Sequence, residues 1–489
     1  MRIWLKRVLI VAALMTTALV LQQVSATSLW LNTTTDDELV ATFERLRERS
    51  EQINDLVDDT LGIDPQADFE RLFDPAVRHT FIIDFSQAEF DGLITDMTDY
   101  YEEYGTYKSN NYRTVTVTYA ADDDVQIIEN VGFRSKGNIY SRRLPIDEQG
   151  NAREIHFMLK FNETFDLLPG ETGFNELKTR EFANLERLIF KWNRINDPTY
   201  LNEVFSYEMM RQVGVPVPRA GLAEVLIRVD GKLKLMRLYN IFEAHDEEFL
   251  RRVFDIEEVG DLYKGQWSAT LEPITSSEQY GIRDWRYNHR PLYGKETNED
   301  QYTYDTLIRF TNGINQADPA ARIAYMQEHF NIDSFLRAMA MNVLLGNPDD
   351  YRGNGNNMYY YLDQTEFMTY LPFDYDNSMG SGWDGAPAFI NRTIDNDIYE
   401  WGWFDWNTFE IPLWTNLMEH EQYRIQYENY LEEFITSGLF SNASYRALFD
   451  QADALYGDYY DMYYDKTSYI NDKIDAVLED LAYHRALRN

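Results

Sequence analysis

The hydropathy pattern of this 489-residue chain predicts an α+β fold with a strand-rich N-terminal lobe and a mainly helical C-terminal lobe. Two observations carry that prediction. Between residues 78 and 161 the stretches HTFIIDF, YRTVTVTY, IIENVGFRS and REIHFMLKF alternate apolar and polar residues, the period of strands with one buried face. From Asp318 onward apolar residues recur at helical spacing instead, with Ile332 to Leu345 apolar enough for a core helix and further amphipathic segments from Asn407 to Asn489.

The elements follow in order. Arg2, Lys6 and Arg7 precede the apolar run Val8 to Leu21, and Val24-Ser25-Ala26 is a small-residue cleavage site, so residues 1–26 read as a secretory signal peptide and the mature protein as secreted. The apolar run is shorter than the roughly 20 residues that span a bilayer. Residues 27–77 form a helical extension, with Leu39, Phe43, Leu46, Ile53 and Leu56 spaced along Asp36 to Leu61. Residues 78–242 make the strand-rich lobe, with a helix at Ser86 to Tyr104. In REIHFMLKF, Ile155, Phe157, Leu159 and Phe161 share one face, which leaves Lys160 on the other.

Asp197-Pro198 opens a helix from Thr199 to Gln212, ended by Gly214 and Pro216. Glu208 falls within its apolar stripe of Leu201, Val204, Phe205, Met209 and Val213, where a carboxylate needs a partner. Asp230-Gly231 turns a hairpin that pairs Val225 to Val229 with Leu233 to Leu238. Glu243 stands at a linker into residues 243–489, followed by a helix from Asp246 to Phe254. Residues 260–300 read as a polar, aromatic insertion or substrate-facing loop.

Composition removes several classes of function. There is no cysteine, which excludes thiolate metal sites, disulfides and lipoprotein attachment. With 82 Asp and Glu against 45 Lys and Arg, the net charge of -37 argues against a duplex nucleic-acid partner and against docking to an anionic membrane by bulk charge. Most of these carboxylates belong to a solvated face. The seven histidines are scattered without metal-ligand spacing, and neither a G-x-S-x-G elbow nor a GxxxxGK[ST] loop occurs. Serine hydrolase, zinc hydrolase and P-loop chemistry are therefore set aside.

The run NPDDYRGNGNNMYYYLDQTEFMTYLPFDYDNSMG, residues 347–380, points to phosphoryl transfer. Pairing Met358 to Leu362 with Phe367 to Leu371 across Asp363 to Glu366 folds Asp349, Asp350 and Asn357 back beside Asp374 and Asp376. In an extended segment Asp374 and Asp376 face one side and reach one metal. Hard oxygen ligands of this kind suit Mg²⁺, Mn²⁺ or Ca²⁺. A strand lysine such as Lys160 reaching a helix glutamate such as Glu208 is an arrangement that holds nucleotide phosphates.

The chain resembles the CotH-type secreted and spore-coat protein kinases, which have an atypical protein-kinase-like fold. The resemblance is carried by VGFRSKGN at 131–138, IHFMLKF at 155–161, NDPTYLNEVFSYEMMRQVGVPVPRAG at 196–221, LYNIFEAHDEEFLRRVF at 238–254, NPDDYRGNGNNMYYY at 347–361 and YLPFDYDNSMG at 370–380. It spans roughly residues 78–385. It implies transfer of the γ-phosphoryl group of ATP, with Mg²⁺ or Mn²⁺, to serine or threonine of an extracellular, surface or coat protein. Under it Asp349 matches the catalytic aspartate, Asn357 and Asp374 the metal-binding residues with Asp376 as a second carboxylate, and Lys160 and Glu208 the phosphate-holding pair.

Two departures leave roles open. A GxGxxG loop is missing, and Gly132-Phe-Arg-Ser-Lys-Gly137-Asn138 stands in its place, so Lys136 rivals Lys160 for the phosphate; Glu243 sits where a nucleotide base would meet the linker. Asp350 follows Asp349 at once, and an amide five residues after Asp349 is Asn354, whereas Asn357 is eight after it. Two other functions fit the same residues: an adenylyl transferase on this fold, and a non-catalytic Ca²⁺-dependent coat module using Asp122-Asp123-Asp124 and the many tyrosines and tryptophans.

Overall fold

Alternating strands that twist and carry bulky apolar residues on one face close most economically into a barrel, which leaves no edge unpaired. The computed structural model describes residues 65–121, 124–138, 141–273, 291–298, 303–382, 393–401 and 410–488. The expected leader, the 36–61 helix, Asp122 and Asp123, Trp383 and residues 402–406 of the WGWFDW cluster lie outside them.

The elements in chain order are α1 (Pro65–Leu72), β1 (His79–Phe85), α2 (Gln87–Tyr104), β2 (Arg113–Ala121), β3 (Asp124–Ser135), β4 (Phe157–Lys160), α3 (Phe174–Lys178), β5 (Arg187–Trp192), α4 (Asn202–Gln212), β6 (Ala220–Val229), β7 (Lys232–Glu243) and α5 (Glu247–Phe254). They continue with β8 (Asp261–Gly265), β9 (Tyr293–Lys295), α6 (Asp305–Ile314), α7 (Pro319–His329), α8 (Ile332–Leu345), β10 (Met358–Leu362), β11 (Met368–Pro372), α9 (Pro412–Met418), α10 (Glu421–Thr436), α11 (Asn442–Tyr456) and α12 (Thr467–Arg488). The chain divides into two compact units that interleave in sequence. The described parts of residues 1–194, 221–244 and 451–461 form the first, and those of 195–220, 245–450 and 462–489 the second.

The first unit is a closed barrel in the order β1-β2-β3-β4-β5-β7-β6, sealed by the parallel pairing of β1 with β6. Its interior is aromatic: Phe157 stacks on Phe190 with ring centres 4.5 Å apart, and Phe81 meets Phe190 edge-on at 5.1 Å. As the alternation predicts, Phe157 and Leu159 are in this core, and Lys160 is half-exposed on the outer face. Strand β5 has no counterpart in the sequence reading, because Leu188, Ile189 and Phe190 are all buried and the run shows no alternation. The Asp230-Gly231 turn is as expected, with both residues at positive φ.

One segment from near the C-terminus completes this unit. The Tyr456 hydroxyl accepts the His79 N–H at 3.0 Å, the Arg78 guanidinium lies 4.3 Å over Tyr459, and the Tyr460 hydroxyl donates to Glu224, itself paired with Arg78 at 2.9 Å. His79 is buried, which lowers its pKa to about 4 against a weaker opposing pull from Asp74. Between that value and the unfolded value near 6.5 only the unfolded chain takes up the proton, so this residue withdraws stability as pH falls through that window. Replacing it as His79→Gln should flatten the acid limb of urea midpoints measured from pH 7 to pH 4, by roughly 3 kcal/mol at the acid end.

The second unit holds the helices and a four-stranded sheet in the order β11-β10-β8-β9. The β10–β11 hairpin forms with the expected turn, and its register joins Met358 to Pro372 and Leu362 to Met368, one residue later on the return strand than the sequence suggested. Strands β8 and β9 and helix α6 occupy stretches whose patterning announces little; β8 and β9 are five and three residues long. Helix α4 starts at Asn202 rather than Thr199. Tyr200 is left-handed at φ 60°, and the Asp197 carboxylate caps the first turn from a distance, accepting the N–H groups of Leu201 and Asn202 at 2.9 Å each. No helix among the described residues is long and apolar enough to cross a membrane.

Candidate active site

The core helix α8 is stopped by Gly346, left-handed at φ 68°, and the chain turns into the loop 347–357. The two consecutive aspartates then diverge. Asp350 is buried and structural: one carboxylate oxygen takes the Asn342 side-chain amide, and the other takes the Gly353 N–H at 2.6 Å. Only glycine fits at 353, since a Cβ there would lie 2.2 Å from the Pro348 carbonyl. Asp349 instead gathers the asparagines of the loop, accepting Nδ2 of Asn354 at 2.8 Å, Asn356 at 3.1 Å and Asn357 at 3.0 Å.

The hairpin brings the second acidic motif to this loop. Beyond the last ladder pair the Phe373 N–H reaches the Asn357 carbonyl at 3.2 Å, and the Asn347 amide reaches the Asp374 carbonyl at 3.1 Å. Asn357 and Asp374 are both left-handed, at φ 58° and 66°, so the chain bends sharply at the two facing ends of the hairpin. The extended Asp374-Tyr-Asp376 expected from the sequence is therefore a turn. Asp374 and Asp376 are nonetheless both half-exposed while Tyr375 is buried between them. Burial pushes the Asp349 carboxyl up to about 7, with the charges of Asp374 and Asp376 adding to the rise against the asparagine amides. Burial raises Asp350 as well, to about 6, opposed by Arg352 and the Gly353 N–H.

Helix α4 anchors this motif from beneath. The Tyr207 hydroxyl accepts the Asp374 N–H at 3.0 Å, Glu203 accepts the Tyr375 N–H at 3.2 Å, and Ser206 and Ser378 share a hydroxyl contact at 2.9 Å. Glu203 is thus the buried carboxylate of α4, and it raises the Tyr207 pKa further after burial itself. Glu208, placed in the apolar stripe by spacing, lies at its edge. Its side chain is one-third exposed, and Arg211 and Gln212 of the same helix hold it at 2.7 and 2.6 Å.

In the barrel unit, Lys160 takes Glu163 as its ion-pair partner at 2.9 Å. Lys160 and Glu208 each pair with a neighbour three positions along the chain, Glu163 and Arg211 respectively. Lys136 follows the end of β3, where its N–H bonds the His156 carbonyl at 2.7 Å. Lys160 lies opposite Gly132, so the two lysines stand four residues apart along the ladder, ~13 Å, and one phosphate group cannot engage both backbones closely. Glu243 stands at the end of the first unit's segment 221–244, where the chain passes into the second, as the linker reading placed it. It ends β7 opposite Leu188 and is buried.

Three contributors escaped the sequence reading. Arg352 is buried over the Trp414 ring at 3.8 Å and steadies the loop from behind, donating to the Ile398 carbonyl at 2.9 Å. Trp267 donates to Asn354 at 3.2 Å, and the Ser268 N–H bonds the Gly355 carbonyl at 2.7 Å, so the segment read as an insertion or substrate-facing loop braces the asparagine loop. Among the described residues no three His, Cys, Asp or Glu side chains are grouped so as to hold a metal ion. The oxygen-only donor set of Asp374, Asp376, Asn357 and Asp349 still suits a hard cation that keeps its waters and binds through one or two carboxylates and substrate phosphates, as Mg²⁺ does. A family model described as CotH kinase protein matches residues 157–489, about two thirds of the chain. The match begins inside the barrel at β4, includes Lys160 but not Lys136, and runs through the C-terminal helices that the sequence resemblance left out. No curated protein matches the chain.

Proposed function

The chain belongs to the CotH kinase protein family, and from that premise we propose that it is a secreted kinase that transfers the γ-phosphoryl group of ATP, with Mg²⁺ or Mn²⁺, to serine or threonine of an extracellular or surface protein. The observation that supports this most is the convergence on one hairpin end of Asp349, held by three asparagine amides, with the charges of Asp374 and Asp376. Asp349 orients the acceptor hydroxyl and takes its proton, while Asp350 fixes the loop. Asp374, with Asp376 and the Asn357 side-chain amide oxygen, would hold the metal. When bound, the cation supplies positive charge next to the transferring oxygens, the main demand of phosphoryl transfer. Of the two lysines we favour Lys160 for a nucleotide phosphate, with Lys136 as its rival; Lys160 lies within the residues that the family model matches.

The test is the chain from residue 27 incubated with γ-labelled and, separately, α-labelled ATP, a divalent metal and casein. Label from the γ position should enter protein and vanish with chelator. Label from the α position would replace the proposal by adenylyl transfer, and no label with no nucleotide-dependent thermal shift would replace it by a binding module.

A further inference from the structure

We infer that Lys264 is a phosphate-binding residue of the second unit, meeting the terminal phosphoryl group of the nucleotide from the sheet that also carries Asp374; the inference rests on the phosphoryl-transfer reading above. Strand β8 runs antiparallel to β10 with Lys264 opposite Tyr359, and β10 pairs with β11 so that Tyr359 lies opposite Leu371. Residues facing each other across a ladder share a face, and Phe373, two beyond Leu371, follows on that face. The Lys264 ammonium accordingly reaches across both rings, 5.3 Å from the centre of Tyr359 and 4.8 Å from that of Phe373. Phe373 is the residue before Asp374, and its N–H bonds the Asn357 carbonyl. The ring nearest the cation thus belongs to the residue that leads from the hairpin into the turn of Asp374.

The remainder of this face is apolar. Leu262, Tyr359, Tyr361 and Leu371 are buried together with Phe249 and Leu250, and the half-exposed Lys264 ends the row. A lysine in such a position has an ordinary use, covering ring surface with its stem while its head meets water. Charge and rigidity favour the stronger role. The corner holds three carboxylates, those of Asp349, Asp374 and Asp376, and a triphosphate brought there adds more negative charge to a site that catalyses by stabilising it. A lysine ammonium offers a point charge with three donors, suited to phosphate oxygens. The strand is also tied to the loop it would serve, through Trp267 to Asn354 and Ser268 to Gly355, so the ammonium is carried on a fixed backbone.

Calorimetric titration with ATP and with ADP, each with Mg²⁺, tests this on the wild type, Lys264→Met and Lys264→Arg. Methionine keeps the stem over the rings and removes the charge. Lys264→Met should bind ATP about tenfold or more weakly, as expected for losing a hydrogen bond to a charged group. Its affinity for ADP and its nucleotide-free melting temperature should be unchanged, and arginine should restore part of the loss. Lys264→Gln is the second neutral variant should methionine alter melting. An ATP-over-ADP preference that survives in the neutral variants overturns the inference, leaving the lysine as a cover for Tyr359 and Phe373. A wild type that prefers ATP but transfers no γ-label sinks the kinase reading while the Lys264 contact stands; a wild type that binds neither nucleotide overturns both.

Discussion

Asp349→Asn should lower γ-phosphoryl transfer about 10²- to 10⁴-fold, the range for a positioned proton acceptor, while Asp350→Asn should leave activity per folded molecule within about tenfold of the wild type. The neighbours divide these tasks. Asp349 faces three asparagine amides beside the charges of Asp374 and Asp376. Asp350 is spent on Asn342 and Gly353 inside the loop, where an asparagine would aim an NH₂ at one of two donors and cost about 1–3 kcal/mol. Initial rates normalised to folded protein, beside urea midpoints for both variants, check the pair. A folded but inactive Asp350→Asn with an active Asp349→Asn would exchange the two roles.

The second large effect separates stability from activity at one residue. Asp374 holds a left-handed backbone at φ 66°, which costs a residue with a Cβ about 1–2 kcal/mol. Its backbone contacts to Tyr207 and Asn347 do not need its carboxylate. Asp374→Gly should therefore melt at or above the wild-type temperature, with the greater chain entropy of unfolded glycine offsetting part of the relief. Asp374→Ala, which keeps the strain, should melt lower than the glycine variant. Both should lose metal-dependent transfer by about 10³-fold or more if the carboxylate holds the cation. Melting curves and label transfer on the same preparations decide it; a glycine variant that still labels casein removes Asp374 from the metal site. Strain of this kind in a residue where glycine would be more comfortable is expected where a side chain is kept for function.

Much of this corner was legible because its parts are close in sequence. The loop 347–357 and Asp374 flank one hairpin, and a hairpin is the easiest long-range contact to foresee from alternation and a turn. The sequence reading failed where burial is two-sided or contact depends on distant register. Helix α4 is covered on so much of its surface that Asn202, Glu203, Ser206 and Tyr207 are all buried. Stripe logic, which assumes one wet face, therefore chose Glu208 over Glu203. Lys264 gains its meaning only from its pairing with Tyr359, across a segment that looked like an insertion. For the same reason β5 went unseen while its alternating neighbours in the barrel did not.

The return of residues 451–461 to the first unit bears on the order in which this protein can be made. Tyr456, Tyr459 and Tyr460 supply partners to His79, Arg78 and Glu224, residues synthesised more than two hundred positions earlier. An emerging N-terminal barrel lacks these side chains until nearly the whole polypeptide has been released, so its buried Arg78–Glu224 pair stays incompletely covered throughout synthesis. The unit that is made first thus acquires its last polar partners only when residues 456–460 have been made.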